Sequence, residues 1–296
     1  MADKKIGEEK NVIRIGLIQM SMSDDIEANT AKAVEMIGKA AGRGAKIICL
    51  PELFSSRYFC QEQNEELFGL AEKIPGDTTK KLSEAARNNK VVIIAGIFEK
   101  RAEGVYNNSA VVIDSSGKII GVYRKMHIPE DPADYHEKLY FAPGEKFISF
   151  KTEYGDIGVL ICWDQWFPEA ARITALKGAK IIFYPTAIGW SPDDSRDKKE
   201  IQLSAWKTIQ RSHSIANGIF VAAVNRVGRE GNIAFWGSSF VSGPFGEKIA
   251  DAGNEGEEIL IADCDMGLVE STRRGWPFLR DRRIDSYKEI TQRFLD

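Results

Sequence analysis

The sequence predicts a mixed α/β fold built as a layered sandwich. Short runs rich in Ile and Val alternate with amphipathic stretches, and several runs are apolar on both faces, as in a sheet covered on both sides. The order is βα units, then hairpins, then βα units again, which favours sheets with strands of both orientations. The chain of 296 residues shows no break in composition. One domain at residues 11–270 followed by a tail at 271–296 is therefore expected.

The apolar runs predict strands in the order in which they occur. Their content of β-branched residues favours a strand over a short buried helix. The segment DSSG at 114–117 separates two of these runs as a hairpin turn, and PFG at 244–246 marks a second turn. The predicted strands cover residues 12–20, 46–50, 91–98, 109–113, 119–124, 157–162, 180–184, 219–225 and 258–264.

Four other stretches have the apolar spacing of amphipathic helices. Gly42, Gly44 and Gly178 supply the stop signals where two of them end. The polar, Pro-containing segment 128–145 is instead predicted to be a loop, and loops of that length in compact domains are often functional. The predicted helices cover residues 29–41, 78–89, 169–177 and 200–216.

Charge and cysteine content restrict the possible partners and compartment. The 43 acidic and 40 basic side chains give a formal charge of −3 and are well mixed, which argues against nucleic-acid or polybasic membrane partners. The first ten residues are charged, and no apolar run approaches the roughly 18 residues of a membrane span. The 4 cysteines are widely spaced, without a C-x-x-C pair, so neither a disulfide framework nor a zinc site is expected. A cytoplasmic enzyme with a small-molecule substrate is the resulting prediction.

Three reactive side chains occur where buried runs stop. Glu52 follows the run IICLP, Lys125 ends the run at 119–124, and Cys162 ends the run at 157–162. Taken singly, such residues are usually a solvated acid, a surface cation and a small core residue. Because ligands of open α/β sheets bind beyond the carboxyl ends of strands, the three are predicted to share one pocket.

The residues around these three side chains form motifs in a fixed order. They are LPEL at 50–53, YRKMH at 123–127 and ICWDQWFPE at 161–169. On these motifs, and on the later segments 178–186 and 211–225, the sequence resembles the nitrilase superfamily of carbon–nitrogen hydrolases. The resemblance extends over nearly the whole chain.

The resemblance implies a fold and a set of roles. The fold would be a four-layer αββα sandwich of the nitrilase type with mixed sheets. Glu52 would be the general base, Lys125 the cationic partner and Cys162 the nucleophile. The second acid of the family matches Glu137, with Glu130 as the nearest competitor. The family also implies a homo-oligomer, a dimer or larger.

The chemistry of these groups is consistent with amide-type hydrolysis. Glu52 would accept the thiol proton of Cys162, whose thiolate then adds to the substrate carbon. Lys125 and the backbone N–H of Trp163 would stabilise the charge that develops on oxygen. Water would then release the product from a covalent thioester, so no metal or cofactor is required.

Two alternatives remain open from the sequence. A Cys–His dyad would need His127, His136 or His213 as base. An inactive amine-binding scaffold would keep the fold without the reaction. The other cysteines are predicted to pack in the core, except that Cys60 is expected at the rim of the pocket.

The substrate prediction rests on the residues after Cys162. Relatives that cleave N-carbamoyl-D-amino acids carry two arginines at the third and fourth positions after the cysteine, where this chain has Gln165 and Trp166. The missing anion clamp favours a carbamoyl amine, with its terminal ammonium held by aromatic faces and by Asp164 or Glu137. An amidase or a hydrolase of N-carbamoyl amino acids or β-ureidopropionate is the alternative. The predicted substrate-binding residues are Tyr58, Tyr135, Trp163, Asp164, Trp166, Thr186 and Trp190.

The tail contains an apolar segment, GWPFL at 275–279, in Arg-rich surroundings. Such a segment is typical of an interface between subunits. The alternative is that Trp276 and Phe278 fold back onto their own core.

Overall fold

The computed structural model describes residues 11–131 and 134–295, and its main elements are two large β-sheets covered by helices. The strands are β1 (Val12–Gln19), β2 (Ile47–Cys49), β3 (Val92–Ala102), β4 (Val105–Ile113), β5 (Ile119–Arg124), β6 (Ser149–Thr152), β7 (Gly155–Val159), β8 (Ile181–Thr186), β9 (Gly189–Trp190), β10 (Phe220–Asn225), β11 (Val227–Glu230), β12 (Ile233–Trp236), β13 (Phe240–Ser242), β14 (Lys248–Asp251) and β15 (Glu258–Asp265). The helices are α1 (Ile26–Gly42), α2 (Asp77–Asn89), α3 (Glu137–Tyr140), α4 (Pro168–Leu176), α5 (Arg196–Asn217) and α6 (Met266–Gly275).

The first sheet has the order β15-β1-β2-β3-β4-β5. Strands β1, β2 and β3 are parallel, whereas β15 pairs antiparallel with β1, β4 with β3 and β5 with β4. Two antiparallel pairings separate β5 from β3, so β5 runs in the same direction as β2 and β3. Their carboxyl ends therefore lie at the same edge of the sheet, as the positions of Glu52 and Lys125 require.

The second sheet has the order β14-β13-β10-β8-β7-β6. Its centre is parallel, because β8 pairs in parallel with both β7 and β10. Its outer strands β6, β13 and β14 are antiparallel. The residues of β8 and β10 are buried on both faces, which explains their unbroken apolar sequence.

The two sheets pack face to face and form the central core. Ile15 and Leu17 of the first sheet belong to the same apolar cluster as Ile181, Phe183 and Val221 of the second. On the far side of the first sheet, α1 and α2 bury Met36, Ile37 and Leu82 against Ile48 and Ile93. Helices α4 and α5 pack on β8 and β10. The predicted four-layer αββα arrangement with mixed sheets is confirmed.

Most predicted elements occur within a few residues of their predicted bounds, with one informative difference. The strand predicted at 157–162 ends at Val159, and Cys162 begins a 3₁₀ turn, Cys162–Trp166. Six strands were not predicted: β6, β9, β11, β12, β13 and β14. Three of them form a small separate sheet of order β11-β12-β9 beside the candidate site.

A helix that was not predicted, α6, spans the start of the tail. Helix α6 crosses residue 270, where the sequence placed the domain boundary. Beyond it, Trp276 and Phe278 are exposed rather than folded back onto the core. No helix in the described part of the chain is long and apolar enough to cross a lipid bilayer.

Candidate active site

Glu52, Lys125 and Glu137 form a fully buried cluster at the carboxyl ends of β2 and β5. Lys125 Nζ donates to Glu52 Oε1 at 2.8 Å and to Glu137 Oε1 and Oε2 at 2.9 and 2.7 Å. Tyr58 Oη donates to Glu137 Oε1 at 2.6 Å. The structure thus brings Glu137 to Lys125. The competitor Glu130 instead accepts from the backbone N–H of Lys138 at 3.3 Å, on the exposed side of the loop.

The backbone around Glu52 is held by two features of neighbouring strands. Gly96 of β3 lies against it so closely that a Cβ at that position would be 2.6 Å from Leu53 N and 3.1 Å from Glu52 Cα. Leu53 has a φ of 48°, which is unfavourable for a branched side chain. The buried Arg226 donates from Nη2 to the carbonyl oxygens of Glu52 and Leu53 at 2.7 and 3.0 Å. Its Nη1 bonds Glu230, which compensates the buried charge.

The charges in the cluster shift the pKa values of its members. Burial alone would lower the pKa of Lys125, but the carboxylates of Glu137 and Glu52 outweigh it and hold that pKa well above its usual value. Burial raises the pKa of Glu137, and Lys125 opposes this only in part. Lys125 therefore remains a cation at neutral pH, placed between two acids.

Cys162 lies at a strained turn that follows β7. Its φ is 42°, a conformation that non-glycine residues rarely adopt outside functional sites. The side chain is only 4% exposed, and Sγ is 3.9 Å from the carbonyl oxygen of Ala187. Burial first, and then the charge of Glu52, raise the pKa of the thiol well above its usual value. The resting sulfur is therefore protonated, and a nearby base is needed to make it a nucleophile.

Asp164 has a structural role that differs from the predicted one. It is fully buried and accepts from Tyr123 Oη at 2.7 Å, from the backbone N–H of Ile161 at 2.9 Å and from that of His127 at 3.0 Å. His127 Nδ1 is 2.7 Å from the same carboxylate. Asp164 thus joins the chain on either side of Lys125 to the turn of Cys162. Both of its oxygens are bonded, so it is not available to a substrate ammonium.

A cavity of about 310 Å³ leads to Cys162. Tyr135, Trp163 and Trp166, three of the predicted substrate-binding residues, line it, and Trp163 is 38% exposed at its wall. Tyr58, Thr186 and Trp190 do not line it. The cavity is lined by Tyr135, Cys162, Trp163, Trp166, Ala187, Ile188, Gly189, Ile201, Gln202, Ala205 and Trp236.

The predicted residues that do not line the cavity support its surroundings. Tyr58 holds Glu137, as described above. The hydroxyl of Thr186 donates to the carbonyl oxygen of Tyr184 at 2.9 Å. Trp190 packs on the cavity residue Trp236, with ring centroids 5.4 Å apart, and its Nε1 donates to Lys199 O at 3.0 Å. Glu137 is enclosed with Lys125, so it does not reach a distal ammonium either.

The histidines make bonds to groups other than the sulfur. His136 Nδ1 lies 3.3 Å from Glu130 Oε1, and His213 Nε2 lies 2.8 Å from the carbonyl oxygen of Gln165. Among the described residues, no hydrogen bond joins a histidine to Cys162, so the geometry does not favour a Cys–His dyad. Cys60, expected at the pocket rim, is fully buried, and burial raises its pKa well above the usual value.

Three important residues were not found from the sequence. Asn108 of β4 donates from Nδ2 to Glu52 Oε1 at 2.7 Å. Arg226 holds the backbone of Glu52, and Trp236 closes the cavity. A polar residue within an apolar strand was the available signal for Asn108, and an arginine directly after the apolar strand β10 was the signal for Arg226. Nothing in the sequence distinguished Trp236 from a core tryptophan.

The chain was compared with known families and proteins. A sequence model described as Carbon-nitrogen hydrolase matches residues 14–274. The chain is 43% identical over 296 residues to a protein of Solanum lycopersicum named N-carbamoylputrescine amidase, covering 96% of this chain and 97% of that protein. It is 42% identical over 292 residues to a protein of Francisella tularensis subsp. tularensis named Citrullinase, covering 95% of this chain and 99% of that protein.

A solved structure gives the same result in three dimensions. The crystal structure of a carbon-nitrogen hydrolase from Helicobacter pylori G27 matches with a TM-score of 0.93 at 45% identity. The match covers 96% of this chain and 100% of that one. The similarity therefore extends over nearly the whole chain.

Proposed function

Because the chain belongs to the carbon–nitrogen hydrolase family, as its motifs predicted, we propose that it hydrolyses N-carbamoylputrescine to putrescine, carbon dioxide and ammonia. The observation that carries this proposal is the cavity at Cys162, whose walls are aromatic and apolar. No basic side chain is among the described residues that line it, so a substrate carboxylate has no ion-pair partner there. The relative from Solanum lycopersicum that bears the name N-carbamoylputrescine amidase supports the same substrate.

The first half of the reaction is acylation of Cys162. Glu52 takes the proton of the thiol, and the sulfur forms a bond to the ureido carbon. Negative charge develops on the ureido oxygen, where Lys125 Nζ and the backbone N–H of Trp163 act as donors. The terminal C–N bond then breaks, and the leaving nitrogen takes the proton from Glu52 to depart as ammonia. The product is a thioester of the thiocarbamate type, whose carbonyl carbon joins the sulfur of Cys162 to the nitrogen of the amine.

The second half is hydrolysis of that thioester. Glu52, ionised again after ammonia has left, takes a proton from water, and the resulting hydroxide adds to the thioester carbon. The C–S bond breaks, and the sulfur of Cys162 takes back a proton from Glu52. The carbamate that leaves decomposes to carbon dioxide and putrescine. Glu137 keeps Lys125 protonated and in place throughout, because it accepts two bonds from Nζ.

The cavity accommodates the four-carbon chain and its ammonium. The methylene groups lie against Trp163, Trp166 and Ile188, where burial of apolar surface contributes to binding. The aromatic faces attract the terminal ammonium, a contact that contributes about 0.5–2 kcal/mol. Because Asp164 and Glu137 are already bonded, no buried acid of the catalytic cluster is assigned to that ammonium.

Citrulline is the second candidate substrate. It carries the same ureido group and chain, with a carboxylate on the carbon that bears the amine. The relative from Francisella tularensis subsp. tularensis named Citrullinase favours it, and so do two residues of the cavity wall. Trp166 Nε1 and Trp236 Nε1 are buried donors without an acceptor among the described residues, and a carboxylate would supply one.

A substrate panel separates these functions. We expect ammonia release with the highest kcat/KM from N-carbamoylputrescine, at least about tenfold above citrulline, which corresponds to about 1.4 kcal/mol. N-carbamoyl-β-alanine, an N-carbamoyl-D-amino acid and a simple nitrile serve as further comparisons. A preference for any carboxylate-bearing compound would overturn the proposed substrate. No release from any of them, with putrescine binding retained, would indicate an inactive amine-binding scaffold.

We also propose that the protein is a homo-oligomer that associates through the side carrying α5 and the tail. Phe245, Trp276 and Phe278 are exposed and in contact, with successive ring centroids 5.4 and 6.0 Å apart. Ile215 of α5 packs beside Gly246 and extends this patch. Light scattering at micromolar concentration is expected to give a multiple of the 33.0 kDa chain mass, and Trp276→Glu to reduce it. A monomer mass for the unchanged protein would refute the proposal.

A cytoplasmic location is proposed from the cysteines. All four are free and buried, and none is placed to form a disulfide in the described structure. Such thiols are typical of reducing compartments. Microscopy of a fluorescent fusion is expected to show diffuse cytoplasmic signal, and an organellar pattern would contradict it.

A further inference from the structure

The carboxylate of Glu52 is bonded on one oxygen and open on the other. Oε1 accepts from Lys125 Nζ at 2.8 Å and from Asn108 Nδ2 at 2.7 Å, so two donors occupy it. Oε2 is equally buried but has no partner among the described residues. An open acceptor inside a protein destabilises the folded state, so this asymmetry needs an explanation.

Asn108 contacts both the base and the cation. It is fully buried in β4, opposite Phe98 of β3. Its backbone carbonyl oxygen accepts from the N–H of Lys125 at 2.9 Å, while its side chain bonds Glu52. Asn108 therefore fixes both the backbone position of Lys125 and the rotation of the Glu52 carboxylate.

We propose that Asn108 is a positioning residue that makes Oε2 of Glu52 the atom that receives the thiol proton of Cys162. With both donors on Oε1, the carboxylate cannot rotate without breaking two bonds, one of them to a cation. Only Oε2 then has a lone pair free for the S–H. The inference rests on the proposed role of Glu52 as base, but not on the identity of the substrate.

The experiment compares Asn108→Leu with a matched control, Asn107→Leu. Asn107 is the preceding residue of β4 and is also buried, and its Nδ2 donates to the carbonyl oxygen of Ala142 at 2.8 Å. Its Oδ1, like that of Asn108, has no partner among the described residues. Both variants lose one buried donor of the same kind, but only Asn108→Leu loses a bond to Glu52. Both are expected to lose stability, Asn108→Leu somewhat more because its lost bond was to a carboxylate.

Two measurements on the full-length protein follow from the proposal. In Asn108→Leu, kcat is expected to fall about 10- to 100-fold, as for the loss of a hydrogen bond to a charged group, with KM within about threefold. Alkylation of Cys162 by iodoacetamide is expected to slow by a similar factor, because it needs the same proton transfer. Asn107→Leu is expected to keep both kcat and the alkylation rate within about threefold.

Two further variants make every outcome decisive. Asn108→Thr retains a donor and is expected to recover part of the lost kcat, and it supplies the same readouts if Asn108→Leu does not fold. Glu52→Gln separates the role of Glu52 as base from the positioning role of Asn108. If Glu52→Gln retains turnover, the base assignment itself fails. If Glu52→Gln is inactive while Asn108→Leu or Asn108→Thr matches the control in kcat and alkylation rate, only the positioning role is overturned.

Discussion

The two walls of the site at Cys162 are built by different physical means. On one wall, Glu52, Lys125 and Glu137 are fully buried and joined by hydrogen bonds of 2.7 to 2.9 Å. On the other wall, the cavity is bounded by aromatic and apolar side chains, and some polar atoms, such as Trp236 Nε1, lack a partner among the described residues. In the first wall, Oε2 of Glu52 is the one side-chain oxygen of the two glutamates without a partner among the described residues, whereas the second wall has several open polar atoms.

This difference assigns separate tasks to the two walls. Preorganised charges act on the transition state, because they need no reorganisation when the reaction occurs. Apolar walls act on the ground state, because they bind the chain of the substrate equally well before and during the reaction. Substitutions in the charged wall should therefore lower kcat, and substitutions in the aromatic wall should raise KM.

Removal of Cys162, the proposed nucleophile, gives the largest expected effect. Cys162→Ala is expected to reduce turnover by about 10⁴-fold or more, because the covalent path is lost, while the melting temperature stays close to that of the unchanged protein. A thiol alkylator should modify Cys162 before the other cysteines, which can be checked by peptide mass mapping. Modification of Cys60 first, with activity retained, would contradict the assignment.

Changes to the charged wall come next. Glu52→Gln and Lys125→Arg are each expected to lower kcat about 10²- to 10⁴-fold with little change in KM. Arginine fails because a planar guanidinium does not fit between two carboxylates that enclose a compact ammonium. Steady-state kinetics with the preferred substrate measures this, and a rate near that of the unchanged protein for either variant would remove the role given to that residue.

Substitutions in the aromatic wall are expected to change KM rather than kcat. Trp163→Leu leaves the backbone N–H in place but removes an aromatic face, and is expected to raise KM for N-carbamoylputrescine about 2- to 30-fold, as for loss of a cation–π contact. The value of kcat and the rate of Cys162 alkylation should change by less than about threefold. A loss confined to kcat would mean that the two walls are not functionally separate.

The smallest expected effect concerns His213, which contacts the backbone of the turn Cys162–Trp166. Burial lowers the pKa of His213, and its bond to the carbonyl oxygen of Gln165 opposes this only in part. The unfolded chain therefore binds this proton at a higher pH than the folded protein does. Stability present at neutral pH is lost as the pH falls below about 6.5, the ordinary value for histidine. Urea unfolding at pH 7.5 and 5.5 should show a smaller acid-induced loss in His213→Gln; equal losses would contradict this.

The sequence predicted the charged wall far better than the aromatic one. Glu52, Lys125 and Cys162 end apolar runs inside ordered motifs, so both chemistry and position were visible. Asn108 contacts Glu52 across 56 residues of sequence, a pairing that no local pattern contains. Trp236 belongs to β12, a short strand whose partner β9 has two residues, and such a strand has too little sequence for a period to be recognised.

Strands that are buried on both faces were predicted from the sequence, whereas short strands that are largely exposed were missed. Strands such as β8 and β10, apolar on both faces, were located to within two residues of their bounds. The edge strand β14, KIAD, is polar at both ends and mostly exposed, and it gave no signal. Asp164 was misjudged for a related reason. An acid close to a reactive cysteine suggests a substrate-binding residue, but three of its four hydrogen-bond partners belong to Tyr123 and His127, on a distant strand and loop, and only the N–H of Ile161 is local.

The close approach of Gly96 to the Glu52 backbone has an evolutionary consequence. Position 96 does not line the cavity, so selection for substrate has no direct effect on it. Yet a methyl group there would lie 2.6 Å from Leu53 N and displace the base. A lineage that keeps this reaction is therefore expected to keep glycine at 96 even as it exchanges one substrate for another. Once the reaction is abandoned the constraint ends, and an alanine at 96 would then mark a descendant that no longer uses Glu52.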